Sequence, residues 1–242
     1  MKLSKKNECV NEPGECPTVS RQPSVYYQRW GKRLIDCIVA SIVLAITSPL
    51  SLLVALAIKA DSNGPVLFRQ TRLGLHGKEI SIAKFRSMRA VGAENNQTDN
   101  SITRVGHVIR KFGLDEIPQF LNVLKGDMSL VGPRAWVCDF AEYYTEDQKH
   151  RMDVLPGITG WAQVNGRNAI CITRKIELDL WYVEHMSFLL DLKIVFLTIP
   201  AILFDSHESW DKEKEISELR ERKLRQVLSR EGALGAEVRS EI

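Results

Sequence analysis

Two adjacent carboxylates, Asp115 and Glu116, are the residues of this chain whose position most favours chemistry. Directly after them comes an apolar stripe with the spacing of one helical face, formed by Ile117, Phe120, Leu121 and Leu124. The pattern predicts a helix, because Pro118 is tolerated in a first turn and Gly126 supplies a stop. The positive end of such a helix favours ionised acids that could hold a metal or attack phosphorus. A plain N-cap at Asp115, with Glu116 as a first-turn charge, is the alternative.

Basic residues flank the two acids on both sides. Arg104, Arg110 and Lys111 precede them, and Arg134 follows in a Gly-Pro-Arg sequence. Guanidinium groups bind phosphate oxygens in pairs and offset the repulsion between an anionic site and an anionic substrate. The flanking cations therefore favour a site that handles several phosphates.

The segment FGLDEIPQFLNVLKGDMSLVGPR, residues 112–134, resembles the core motif of the bacterial sugar transferases of the small single-domain type. These enzymes are also called monotopic phosphoglycosyl transferases. They begin glycoconjugate assembly by moving a sugar-phosphate from a nucleotide sugar to a polyprenyl phosphate. In the family a second proline normally follows Gly-Pro-Arg, where this chain has Ala135. That substitution predicts a less rigid loop around Arg134.

Three other segments resemble motifs of the same family, in the same order. KFRSM at 84–88 is similar to a motif whose lysine lies in the active site, with Ser87 replacing the commoner threonine. PGITGWAQVNGRN at 156–168 matches throughout, and its three glycines allow tight backbone turns close to a ligand. ELDLWYV at 177–183, which includes Asp179, is also similar. The resemblance covers about residues 27–204.

The resemblance implies a two-step reaction. Asp115 attacks the sugar-linked phosphorus of a UDP-sugar and expels UMP, and undecaprenyl phosphate then takes the phosphosugar from the enzyme. Glu116 would hold Mg²⁺. The residues expected to bind phosphate are Lys84, Arg110, Arg134 and Arg167. Asp179 would anchor an active-site arginine or assist the metal.

The residues alone leave simpler readings open for two of these positions. Alternation along a strand would place Lys84 and Arg86 together on a solvent-facing side. Asp179 could be an exposed charge on a helix. His107 is expected at the surface, because no second imidazole or acid stands at helical spacing from it.

An uncharged segment from Ile38 to Ile58 is long enough to match a bilayer core. Ser48 and Pro49 interrupt it at the midpoint, where the serine hydroxyl can bond a carbonyl that the proline leaves free. Basic residues occur on both flanks, whereas a spanning helix carries most of its positive charge on one side. The residues allow a kinked span or a re-entrant helix, and disfavour a buried soluble hairpin. The family has a re-entrant helix with a Ser-Pro break, which implies the re-entrant form here.

Composition fits one membrane-associated domain. A chain of 242 residues with 44% hydrophobic content can bury one ordinary core. The net charge of +3 is too small to indicate nucleic acid, and fits an anionic membrane surface. Five scattered cysteines without a CxxC pair indicate reduced thiols in a cytosolic setting.

We therefore predict a mainly helical α+β fold, with a re-entrant membrane helix and amphipathic interfacial helices around a small β-hairpin and a catalytic helix. The predicted divisions are a flexible tail (1–25), the membrane helix (26–60), a cytosolic catalytic domain (61–204) and a charged helical tail (205–242). Within the domain we expect strands at 66–70 and 79–85, a loop at 92–101, a short helix at 104–110, a polar helix at 136–151 with only a packing role, and interfacial helices at 188–204.

The expected enzyme works at the cytoplasmic face of the bacterial inner membrane, in contact with membrane lipid. The charged C-terminal tail would pair with a second copy or lie on the membrane. Two alternatives are a non-catalytic membrane adapter that recruits a partner through this tail, and a membrane-bound phosphohydrolase.

Overall fold

The computed structural model describes residues 31–89, 102–166 and 170–203. Within them the chain is mostly helical and carries two small sheets, which confirms the mainly helical α+β class. The predicted N-terminal tail, the loop at 92–101, the predicted phosphate ligand Arg167 and the C-terminal tail lie outside the described residues.

The described elements follow one another closely along the chain. The helices are α1 (Lys32–Asp61), α2 (Arg104–Lys111), α3 (Gln119–Lys125), α4 (Glu146–Lys149), α5 (Trp161–Val164), α6 (Ile172–His185) and α7 (Phe188–Leu203). The strands are β1 (Leu67–Leu73), β2 (Glu79–Phe85), β3 (Ser129–Val131) and β4 (Gly157–Thr159). Short 3₁₀ turns cover Leu75–Gly77, Leu114–Glu116, Cys138–Tyr143 and His150–Met152.

The predicted hairpin is confirmed, with β1 beginning one residue later and ending three residues later than expected. β1 and β2 are antiparallel, and Gln70 pairs with Ile82 while Arg72 pairs with Ile80. Because side chains alternate along a strand, Gln70, Arg72, Ile82 and Lys84 lie on one face of this hairpin.

A second, parallel pair of strands was not expected from the sequence. β3 pairs with β4, and the two backbones approach closely at glycines. A Cβ atom on Gly157 would lie 2.1 Å from the backbone nitrogen of Gly132, and one on Gly160 would lie 2.2 Å from the Gly132 carbonyl oxygen. The glycines of the PGITG motif at 157 and 160 therefore permit two backbones to pack together.

The apolar segment forms one 30-residue helix with Pro49 inside it. Proline has no amide to donate to the carbonyl of Ala45, four residues earlier. The Ser48 hydroxyl donates to that carbonyl instead, at 2.9 Å. The predicted role of Ser48 beside Pro49 is confirmed.

The N-terminal end of α1 is fastened to the rest of the molecule by charged side chains. Lys32 forms an ion pair with Asp191 of α7. Arg33 donates to the last carbonyls of α3, at Val123 and Leu124. Asp36 accepts from the backbone amide of Leu130 in β3 at 3.2 Å.

The C-terminal end of α1 packs against the same body. Val54 and Ile58 share an apolar cluster with Phe85 of β2 and Ile109 of α2. Between the two packed ends, from Ser41 to Leu53, most of the helix surface is exposed. Both ends of α1 are therefore in contact with one folded unit.

Exposed apolar surface is concentrated on four helices. By length and composition α1 could cross a membrane, and most of its apolar window is not buried. Large apolar side chains are also exposed on the neighbouring helices, at Val108, Leu121, Leu124, Phe188, Leu189, Leu192, Val195, Phe196 and Ile199. This surface fits contact with lipid.

Two helix predictions are corrected by the structure. Residues 136–151 form 3₁₀ turns and the short α4, because Thr145 is extended and caps α4 with Gln148 in a reciprocal pair of hydrogen bonds. In α3 the buried face is not the predicted apolar stripe. Asn122 is buried because its amide donates to Ser81 and accepts from Ala83, which completes the edge of β2.

Candidate active site

Three of the predicted site residues meet at one carboxylate. Oε1 of Glu116 accepts from Nζ of Lys84 at 2.6 Å and from Nη2 of Arg134 at 3.3 Å. The 3₁₀ turn that carries Glu116 follows Gly113, whose left-handed φ of 67° turns the chain after α2. A strand, a turn and a loop thus bring together two cations and one acid that are distant in sequence.

The charge state of Glu116 follows from these contacts. Burial raises its pKa, but the charges of Arg134 and Lys84, together with their hydrogen bonds, lower the pKa to about 2. Glu116 is therefore ionised at any physiological pH.

Asp115 has the opposite tendency. Burial and the neighbouring charge of Glu116 raise the pKa of Asp115, while Lys84 and Arg110 oppose that rise. The prediction that a helix end favours ionisation of both acids is wrong for Asp115, because α3 begins only at Gln119, after an N-cap at Pro118. For the same reason Asp115 is not the N-cap of this helix.

The two basic residues of KFRSM have different positions, and neither faces solvent as simple alternation would place it. Lys84 lies in the site, where burial lowers the pKa of its ammonium group and Glu116 opposes that shift. Arg86 is buried, and its guanidinium donates to the carbonyls of Ser62 and Asn63 at 2.7 and 2.8 Å, just beyond α1. Arg86 therefore secures the C-terminal end of α1.

The loop that presents Arg134 is fixed by its backbone. The carbonyl of Pro133 accepts from the amide of Gly157 at 2.9 Å, and that of Arg134 accepts from Nη2 of Arg151 at 2.8 Å. Ala135 is buried in the core. These contacts hold the loop although the second proline of the family is absent.

Asp179 is part of a buried ion pair that supports this loop. Its Oδ2 accepts from Arg151 at 2.5 Å, and both side chains are almost completely buried. Arg151 also lies over the ring of Trp136, 4.6 Å from its centroid. The reading of Asp179 as an exposed helix charge is wrong. The role of Arg151 was missed, because its charged neighbourhood in the sequence resembles a solvated surface.

A small cleft opens beside Lys84 and Arg134, the two cations that are bonded to Glu116. Its lining consists of Gln70, Arg72, Ile82, Lys84, Gln119, Met128, Arg134, Ala135 and Gly157. Asp115 precedes Glu116, which contacts the lining residues Lys84 and Arg134. Arg110 lies at the exposed end of α2, near enough for its charge to act on Asp115. His107 is exposed, as predicted. Arg72 was missed as a site residue, because the sequence suggested only a basic flank of the membrane helix.

The carboxylates fit a magnesium ion that shares its ligands with substrate. Within the described ranges, no group of three or more His, Cys, Asp and Glu side chains could hold a metal unaided. Mg²⁺ is usually bound through one or two carboxylates together with phosphates and water. Glu116 is ionised, and no described residue donates a hydrogen bond to its Oε2, so this oxygen is available as a ligand.

An ionised acid between two cations, a neighbouring carboxylate and a long apolar helix are together suited to an enzyme that handles phosphates at a membrane. Residues 27–205 match the family described as bacterial sugar transferase. The chain belongs to that family.

Individual relatives agree with this assignment. The chain is 48% identical to the sugar transferase EpsL of Bacillus subtilis over 175 residues, which are 71% of this chain and 87% of EpsL. It is 44% identical to the UDP-glucose:undecaprenyl-phosphate glucose-1-phosphate transferase of Escherichia coli, over 69% of this chain and 39% of that protein. It is 45% identical to an Aeromonas hydrophila UDP-N-acetylgalactosamine-undecaprenyl-phosphate N-acetylgalactosaminephosphotransferase, over 71% of this chain and 43% of that protein. The chain thus matches less than half of the length of the second and third relatives.

Proposed function

We propose that this chain transfers a sugar-1-phosphate from a UDP-sugar to undecaprenyl phosphate, releases UMP and so begins assembly of an O-antigen, capsule, exopolysaccharide or protein-linked glycan. The observation that carries the proposal is the contact of Glu116 with Lys84 and Arg134, next to Asp115 and close to an apolar helix. Family membership and the reactions named for the Escherichia coli and Aeromonas relatives support the same reaction class.

Asp115 is the proposed nucleophile. Glu116 is held by two cations, and its pKa of about 2 makes it a weak base and a weak nucleophile. Asp115 has a raised pKa, and among the described residues it forms no ion pair. It is therefore the more basic and the less constrained of the two acids, and its attack on the sugar-linked phosphorus gives an aspartyl-phosphosugar ester.

The cations have a defined part in this step. An anionic nucleophile approaching a diphosphate meets repulsion, which fixed positive charges offset without having to reorganise. Lys84 and Arg134 supply such charges at the cleft, and Arg110 supplies one near Asp115. Arg167, which lies outside the described residues, is expected from the family motif to join them.

Glu116, with its free Oε2, is the proposed Mg²⁺ ligand. When bound, the ion supplies positive charge that stabilises the oxygens of the diphosphate. Lys84 and Arg134 keep the carboxylate ionised and oriented for that role.

A re-entrant membrane helix is the proposed topology, with the catalytic body at the cytoplasmic face. A straight helix of 30 residues is about 45 Å long and would carry one end across the bilayer. Contact of both ends of α1 with the same charged body supports entry and return on one side. The break at Ser48 and Pro49 is the proposed bend, and undecaprenyl phosphate would reach Asp115 from the adjoining leaflet.

The first test is trapping of the covalent intermediate. Protein incubated with Mg²⁺ and a UDP-sugar labelled in its β-phosphate is expected to retain label without acceptor, whereas Asp115→Asn retains none. Glu116→Gln is expected to label weakly and with an altered Mg²⁺ dependence. Asp139→Asn, which changes an exposed acid away from the cleft, is the matched control. Equal labelling of wild type and Asp115→Asn would contradict the proposed nucleophile.

The second test measures UMP release with and without undecaprenyl phosphate, across a panel of UDP-sugars. A transferase gives about one UMP per protein without acceptor and continuous release with it. Continuous release with free sugar-phosphate in the absence of lipid would indicate a phosphohydrolase, and no release with any donor would favour the adapter. The panel also identifies the sugar.

A further inference from the structure

A second group of polar side chains lines the cleft at the end away from Asp115. Arg72 and Gln70 lie on the same face of the hairpin as Lys84. Arg72 pairs with Ile80, four residues before Lys84, so the two cationic residues are about 13 Å apart along the strand direction. Arg72 therefore marks one end of the cleft floor, and Lys84 marks the end next to the two acids.

The Arg72 guanidinium is oriented along the strand toward Lys84. Its Nη2 donates to Oε1 of Gln70 at 2.6 Å, and Gln70 is two residues closer to the Lys84 end. In the part of the chain that the structure describes, no carboxylate forms an ion pair with Arg72. Burial and the nearby charge of Arg134 lower the pKa of Arg72, while Cys138 and Glu116 oppose that shift. Two like charges thus face a cleft in which an anion would relieve their repulsion.

Gln119, the first residue of α3, provides an independent indication of a ligand. Its side chain lines the same cleft and is only 4% exposed. Its Nε2 has no hydrogen-bond partner among the described residues. A buried amide donor without an acceptor destabilises the folded state, so a ligand oxygen at this position would satisfy it.

We propose that Arg72 and Gln119 form a subsite for one phosphate monoester, used in turn by departing UMP and by the incoming lipid phosphate. The proposal rests on the function proposed above. Displacement at phosphorus places the entering and leaving oxygens on opposite sides. Asp115 is on one side of the sugar-linked phosphorus in both half-reactions. The UMP oxygen that leaves in the first and the undecaprenyl phosphate oxygen that attacks in the second therefore occupy the same position, opposite Asp115. UMP and undecaprenyl phosphate are both phosphate monoesters, so one set of donors suits both.

The two half-reactions balance without another reactant. In the first, an Asp115 oxygen bonds to the sugar-linked phosphorus and the phosphoanhydride bond breaks, leaving its electron pair on UMP. In the second, an oxygen of undecaprenyl phosphate bonds to that phosphorus and the Asp115–phosphorus bond breaks, which regenerates the carboxylate. Arg72 and Gln119 would stabilise the monoester in both.

The experiment measures each half-reaction separately. The wild type, Arg72→Met and Gln119→Leu are labelled with the UDP-sugar that the wild type accepts, and the labelling rate is recorded. Protein labelled to completion and freed of donor is then mixed with undecaprenyl phosphate, and discharge is followed. We expect both rates to fall about 10- to 100-fold in each variant, since hydrogen bonds to a charged group are lost. The inhibition constant of UMP for discharge should rise by a similar factor.

Two controls distinguish this result from general damage to the site. Hydroxylamine, a neutral nucleophile that cleaves acyl phosphates, should discharge wild type and variants at equal rates, because it needs no phosphate subsite. Arg69→Met removes an exposed arginine from the opposite face of the same strand and should leave both half-reactions unchanged. If Arg72→Met does not fold, Arg72→Lys and Gln119→Leu carry the same test.

The outcomes have separate meanings. Slowing of only one half-reaction would overturn the shared subsite, and wild-type rates in both would overturn the subsite altogether. If the wild type forms no labelled protein, the proposed function fails instead. UMP binding measured by calorimetry still tests the subsite in that case: an unchanged dissociation constant in Arg72→Met contradicts it, and a rise of about tenfold supports it.

Discussion

Asp115 and Glu116 are neighbours of similar chemistry, and their surroundings give them different properties. Glu116 is bonded to Lys84 and Arg134, which makes it a stable anion. Asp115 has no such partner among the described residues, and the charge of Glu116 makes it harder to ionise. These different surroundings fit the roles proposed above, with Glu116 as the cation ligand and Asp115 as the nucleophile.

The raised pKa of Asp115 leads to a prediction about pH. A nucleophilic carboxylate must be ionised, so labelling by donor is lost as the pH falls through this pKa. Lys84→Met removes a positive charge that lowers the pKa of Asp115, so the pKa should rise further. The acid limb of the labelling rate, scaled to its own maximum, should move about one pH unit higher. A limb that stays in place or moves lower would contradict the assignment, and Lys78→Met, at an exposed lysine in the hairpin turn, is the control.

The site residues were predicted from two signals, the adjacency of Asp115 and Glu116 and, for Lys84, a motif that resembles one of the family. Asp115 and Glu116 are adjacent, and cations stand close by on both sides. Arg72, Gln119 and Arg151 were not predicted, because each is placed by pairing or packing. Arg72 faces the cleft through the register of a hairpin, and Gln119 is buried although it lies outside the apolar stripe that the helical pattern predicted as the buried face.

Buried polar contacts fix how some helices, strands and loops are placed relative to one another, which the pattern of apolar residues in the sequence does not predict. Arg151 connects α6 with the loop of Arg134 by bonding both Asp179 and the Arg134 carbonyl. The sequence predicted the hairpin and α2 well, because strand alternation and the charges of a short helix are local signals. It did not predict β3 and β4, since three-residue strands depend on the approach of Gly132 to Gly157.

The buried pair on α6 should contribute much more to stability than an exposed pair on the same helix. Asp179→Asn leaves the charge of Arg151 buried without its counter-charge, and should lower the free energy of unfolding by about 3 kcal/mol. It should also raise the KM for donor, because the Arg134 loop loses support. Glu177→Gln removes an exposed partner of Arg174 and should change neither quantity measurably. Urea unfolding in detergent and donor kinetics measure both, and equal effects of the two substitutions would contradict the role of the buried pair.

In the whole molecule, α1 is hydrogen-bonded at both ends to elements that form the cleft. Arg33 of α1 bonds the end of α3, the helix that begins with Gln119. Arg86, two residues after Lys84, bonds the chain just beyond the other end of α1. The cleft is thus held at a fixed position relative to α1, as the proposed delivery of a lipid phosphate to Asp115 would need.

The proposed re-entrant topology places both ends of α1 on one side of the bilayer, and the two attachments support it. Cys16 precedes the helix in sequence, and Asn63 follows it with an exposed side chain whose backbone carbonyl, not its side chain, bonds Arg86. Two single-cysteine proteins, one that keeps Cys16 and one that carries Asn63→Cys, are made with all other cysteines replaced by serine. Each should react with a membrane-impermeant maleimide in inverted vesicles and remain unmodified in intact spheroplasts. Detergent should expose both equally, which controls for local reactivity. If α1 spans the bilayer, one of these two cysteines should react in intact spheroplasts. That result would show that the ends of α1 lie on opposite sides of the bilayer, and it would contradict contact of both ends with one folded body.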